Sequence, residues 1–147
     1  MGGIDEEMNE GKTVEKDKMV SITKKRQPFH YWKVGDTELK LKLKAGMIEK
    51  VERKYGNTNI LTLVTSGDIP SLSVMLTIIQ AAALPWTHGL SYEDVQALYD
   101  RWADSEGGSQ MDLYQNVLMP TLAVSGFFTQ KQAESIMTKI EEAQEME

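Results

Sequence analysis

The chain has 147 residues, a length that fits one domain with a real core. Its 41% hydrophobic and 26% charged residues are ordinary for a globular protein. It contains no cysteine, which excludes disulfides, thiolate catalysis and cysteine-held metals, and makes a reducing cytosol the simplest compartment. The formal charge of −6 is unevenly placed: residues 28–55 hold seven bases against four acids, a balance of +3, whereas residues 56–147 hold three bases against twelve acids, a balance of −9. A body this acidic repels a phosphate backbone, so nucleic acid is not an expected partner.

Residues 1–27 carry six acids, six bases, no aromatic residue and no apolar period, and read as a disordered charged arm. Their opening, MGGIDEEMNEGK, has no apolar stretch of the kind a secretory signal needs, so none is expected. Residues 28–147 read as a single, mostly helical domain that begins with a hairpin. FHYWKV, then Gly35-Asp36, then TELKLKL is the pattern of two strands joined by a short glycine turn. In the second strand Leu39, Leu41 and Leu43 alternate with Lys40, Lys42 and Lys44, the period of a strand with one buried face.

From Ala45 the period lengthens. Ile48, Val51 and Tyr55 form the stripe of an amphipathic helix over 45–55, and Gly56 supplies its stop. Asn57 or Asn59 caps a short helix through Ile60, Leu61 and Val64. Asp68 or Ser71, with Pro70 beside it, opens a helix running to about residue 84. That helix is apolar on nearly all sides, which places it in the middle of the fold. The apolar stretch around it is broken by Ser71, Ser73, Thr77 and Gln80 and contains Pro85, so a core helix is expected there rather than a membrane span. Ser91 with Asp94 forms a capping-box start for a helix whose stripe is Val95, Leu98, Tyr99 and Trp102, ended by Gly107-Gly108. Ser109 and Asp112 start the next helix, carrying Leu113, Val117, Leu118 and Val124. Pro120 lies inside it and deprives a carbonyl one turn back of its partner, predicting a kink or break. Thr129 and Gln132 cap a last helix with the stripe Ala133, Ile136, Met137 and Ile140. The expected fold class is therefore α+β, mostly α-helical: an N-terminal β-hairpin packed on a compact bundle of about five helices.

Chemistry-bearing residues are sparse. His30 lies in the first strand and His88 in PWTHGL, neither with a second ligand at metal spacing. Asp100 and Asp104 share a helix face near Glu106. Their position opposite the apolar stripe makes a solvated face the first explanation, and a small metal-dependent enzyme or regulator using them with His88 the rival one. Phosphate loops, nucleophile elbows and dinucleotide fingerprints are absent from the sequence. No catalytic, cofactor-binding or metal residue is therefore expected. Met75, Met111, Met119 and Met137 lie at or near helical stripes, where core filling is the first explanation and an adaptable binding surface the second. Five residues remain as candidate protein-binding groups. Lys40, Lys42 and Lys44 either protect a strand edge or meet an acidic protein surface. Phe127 and Phe128, after Ser125-Gly126, place two aromatic anchors at a corner between helices.

A strand ending LKLK, a helix of the form IEKVERKYGN, a short NIL segment and an IPSL helix start occur in that order. HGLSYEDVQALYDRW, a Gly-Gly break and a helix ending AVSGFF follow. Over residues 32–128 this succession resembles the tail assembly chaperones of long-tailed phages and prophages of Gram-positive bacteria. The resemblance rests on order and spacing, with no single invariant motif. It implies a non-enzymatic, cofactor-free protein of the host cytoplasm that binds the tape measure protein, recruits tail tube subunits and is absent from the finished virion. It also implies neither a nucleic-acid nor a membrane partner; self-association stays open. The alternative is another morphogenesis component, such as a head–tail completion protein retained in the particle.

Overall fold

The computed structural model of the protein describes residues 28–145; the charged arm expected over 1–27 lies outside them. Strands β1 (His30–Val34) and β2 (Thr37–Leu41) pair antiparallel, with Trp32 opposite Leu39 and Tyr31 opposite Lys40. The turn is Gly35-Asp36, with φ +58° at Gly35, the sign that a two-residue hairpin turn with glycine first requires. Alternation does the rest: Trp32, Val34, Leu39 and Leu41 point inward and are buried, and the chain beyond β2 continues the pattern to Leu43.

Helix α1 (Ala45–Lys54) follows and stops at Tyr55, Gly56 and Asn57, the last two with positive φ. Of its predicted stripe only Val51 is fully buried, while Ile48 and Tyr55 pack against the core half-exposed. The short helix α2 (Ile60–Thr65) is capped by Asn59, whose side chain accepts the Leu61 amide at 2.9 Å. Helix α3 (Leu72–Ala83) starts at Ser71, and its buried residues include Met75, Leu76, Ile78, Ile79 and Ala82. It is the central element: the hairpin, α1, the following helix and the segment after that all pack on it. Here the apolar circumference read in the sequence is the reason for the position, because only a central helix can bury that much apolar surface.

Helix α4 (Tyr92–Glu106) opens with the expected capping box: the Asp94 amide donates to the Ser91 hydroxyl at 3.0 Å, and the Ser91 amide to the Asp94 carboxylate at 2.9 Å. Gly107, left-handed at φ +73°, ends it. A second capping box, Ser109 with Asp112, opens the single turn α5 (Gln110–Asp112). The expected break near Pro120 takes another form. The chain stays helical by widening to a π-helical stretch, Leu113–Leu118, before returning to α geometry in α6 (Met119–Val124). The Met119 amide reaches back five residues to the Tyr114 carbonyl, so the wider turn lets the helix pass a residue that has no N–H to give. Thr121, fully buried, satisfies its hydroxyl on the Val117 carbonyl at 2.7 Å.

Helix α7 (Gln130–Glu145) is capped reciprocally by Thr129 and Gln132 and packs mainly on α6, burying Ala133. The result is an α+β, mostly helical fold with an N-terminal two-stranded hairpin, as the sequence predicts. One core expectation fails. Met111 is 47% exposed, because it sits two residues before buried Leu113 and so falls on the opposite side of the helix.

Candidate protein-binding site

The outer face of the hairpin is not a free row of lysines. The Lys40 ammonium lies 3.9 Å from the centre of the Phe29 ring and 5.1 Å from that of Trp86, and the Lys42 ammonium 5.6 Å from Phe29. Phe29 and Trp86 meet edge to face at 5.0 Å. Two of the three candidate lysines are thus half-buried over aromatic faces, where a cation is held by the ring quadrupole. Lys44 is different: exposed, at the N-terminal boundary of α1, with its side chain making no capping bond.

Phe127 and Phe128 are both half-buried and packed against the main core. The fold brings their corner beside the lysine strand. The amide of Leu43, between Lys42 and Lys44, donates to the Ser125 hydroxyl at 2.8 Å, and that hydroxyl donates on to the Thr121 carbonyl at 2.6 Å. The corner that carries Phe127 and Phe128 is thus tied to the chain just beyond β2 through a backbone amide. His30 has a structural partner: its Nε2–H donates to the Asn116 carbonyl at 2.9 Å, and burial pushes its pKa down.

His88, Asp100 and Asp104 are exposed, and among the described residues no cluster of three or more His, Asp or Glu side chains is placed to hold a metal ion. Glu106 is a clamp: its carboxylate accepts the Gly35 amide at 2.7 Å, while Arg101 on the same helix donates to the Thr37 hydroxyl at 3.0 Å. Both ends of the hairpin turn are tied to α4 in this way. Among the described residues no helix is long and apolar enough to cross a membrane.

One concavity is a feature that sequence reading missed. A half-open groove of about 620 Å³ runs between α1 and α3. Met47, Lys50, Val51, Lys54 and Tyr55 form its α1 wall at spacings of three, one, three and one, a single helix face. Ser73, Thr77, Gln80 and Ala81 form the opposite wall, and Leu84 and Tyr92 close one end. Gln80 on that wall donates to the Leu90 carbonyl at 3.1 Å. Val51 and Ala81 are buried along it, and among the described residues its charged lining groups are Lys50 and Lys54. The signal was present in the sequence. Ser73, Thr77 and Gln80 recur at i, i+4 and i+7, a polar stripe on an otherwise apolar helix, which marks the one side that the core does not cover.

Comparison with curated proteins and with solved structures finds no match. A model of a family of unknown function, DUF6096, matches residues 24–146, which takes in the hairpin, the groove and every helix described above. The chain belongs to the DUF6096 family.

Proposed function

We propose that this protein is a tail assembly chaperone, which binds the tape measure protein in the host cytoplasm and recruits tail tube subunits while the tail is built. The observation that carries the reading is the groove between α1 and α3: half-open, apolar at its base, and walled by two helix faces. A tape measure is a long helical chain whose apolar stripes stay uncovered until tube subunits surround it. A groove between two helices is the shape that receives such a stripe. The order of sequence elements over residues 32–128 supports the same reading. In this role the protein uses no cofactor or metal, carries no catalytic residue, and leaves before the virion is complete. Lys44, Phe127 and Phe128 add a second surface at the opposite end of β2 from the turn, suited to the tube subunit.

Co-expression tests the proposal. A tape measure segment that is insoluble alone stays soluble with this protein, without added ATP or metal. A segment that remains equally insoluble in both cases overturns it. Detection of this protein in purified particles by mass spectrometry would favour a retained head–tail component instead.

A further inference from the structure

We infer that the α1/α3 groove selects an acidic amphipathic helix: one whose apolar stripe is flanked by carboxylates a single turn apart. The source of that helix, the tape measure chain, rests on the chaperone reading; its chemistry rests on the groove alone. Three features converge. The first is charge. Residues 56–147 carry three bases against twelve acids, yet among the described residues the charged groups lining this groove are Lys50 and Lys54, both cations. The neighbouring cation Arg53 points elsewhere, 3.9 Å from Glu49 one turn back. An anionic ligand therefore meets its complement here and repulsion over much of the remaining surface.

The second feature is spacing. Lys50 and Lys54 are four residues apart on one helix, so their ammonium groups stand about one turn apart along the groove. A single carboxylate or phosphate engages one of them. Two carboxylates four residues apart on a helix lying along the groove engage both. The third is the base of the groove. Val51 and Ala81 are small enough to let a backbone come close, and Met47, an unbranched and adaptable side chain, can mould itself to different apolar residues. A groove with an adaptable apolar lining and two cations on its α1 wall tolerates variation in the stripe but not in the sign of its flanks. That suits a partner presenting many non-identical turns.

The test uses blocked peptides of about 18 residues, long enough to be helical when bound. One has leucines in an i, i+3, i+4, i+7 stripe flanked by glutamates. A second has the same stripe flanked by lysines, and a third keeps the glutamates but has serine for leucine. Fluorescence anisotropy with the full-length protein is expected to show binding of the first, weakening as salt rises. The lysine peptide should bind about tenfold more weakly, as expected for two exposed charge pairs replaced by repulsion. The serine peptide should not bind measurably. In the double variant Lys50→Glu/Lys54→Glu, with circular dichroism and melting unchanged, the preference should reverse toward the lysine peptide. A misfolded protein cannot produce that reversal. Equal binding of the acidic and basic peptides, or a preference that the double variant leaves intact, overturns the inference. So does a double variant whose only change is in self-association, which would make a second copy the occupant. The two readings separate cleanly. A soluble tape measure with no peptide preference leaves the chaperone and removes the groove. The expected preference with an unprotected tape measure does the reverse.

Discussion

The ring of His30 donates to the carbonyl of Asn116, the carbonyl that Pro120 leaves without its usual α-helical donor four residues on. A strand residue thus compensates for a proline in a helix 86 positions away in sequence. Because a carbonyl can only accept, the bond fixes Nε2 as the protonated nitrogen of the neutral ring. It also ties β1 to the π-helical stretch at the point where that stretch departs from α geometry.

Burial holds the His30 pKa below its ordinary value of 6.5, the Asn116 bond acting in the opposite direction. Between the folded value and 6.5 the unfolded chain binds the proton more readily than the folded one. The stabilising contribution is therefore complete above about pH 6.5 and is lost as pH falls through the folded value. His30→Gln keeps an N–H donor but cannot titrate. Melting curves across that window should be flatter in the variant than in the parent. Parallel pH profiles would remove His30 as the titrating group.

Gly107 and Gly108 look equivalent in sequence and are not. Gly107 takes the left-handed conformation, but a Cβ there would meet nothing within 4 Å. At Gly108 the φ is ordinary, yet a Cβ would fall far inside contact distance of the Trp102 ring. That ring is held edge to face by Trp32 at 5.5 Å and by Tyr99 at 6.0 Å, so it cannot easily retreat. Gly108→Ala should cost about 1–3 kcal/mol through overpacking. Gly107→Ala should cost about 1 kcal/mol through backbone strain alone. Thermal melts rank the pair, and tryptophan fluorescence should shift only in the Gly108 variant.

Ser125→Ala removes the acceptor for the Leu43 amide. With that N–H left half-buried and unpaired, a loss of about 1–3 kcal/mol is expected. Amide exchange at Leu43 should accelerate well beyond the global change in stability. Unchanged protection there would mean that the amide finds another acceptor.

Ile79 is 0% exposed at the centre of α3. Ile79→Val should lose about 0.5–1.5 kcal/mol and remain folded. Ile79→Asp buries a carboxylate with no partner, costs several kcal/mol and should leave the protein insoluble or unfolded by circular dichroism. A soluble Asp variant with the parental melting temperature would show that this position is not core.

What the sequence made legible was local. Ser91 with Asp94, and Thr129 with Gln132, are capping pairs three residues apart, so the helix starts could be placed without knowing the fold. The same holds for the hairpin, where period-two alternation and Gly35 suffice. Pro120 announced a disturbance, but whether a helix breaks or widens depends on packing around it, and buried Leu113, Val117 and Leu118 hold it in place. The site was less legible because it is made by distant meetings. Lys40 appeared solvated until Trp86 arrived over it, and the groove exists only because residues 47–55 and 73–84 come to lie side by side.

The polar ties of the hairpin have a consequence for the order of events during synthesis. Thr37, Gly35, Leu43 and His30 bond partners that follow them by 64, 71, 82 and 86 positions. At roughly 5–20 residues per second, a ribosome extrudes the hairpin on the order of ten seconds before its last anchor exists. Helix α3 emerges within that interval and can cover β2, but the elements that pack on β1, namely α4, the π-helical stretch and α6, come later. Closure of this domain therefore waits until residue 125 has emerged, and a chain stalled short of Ser125 presents a sheet that is only partly covered.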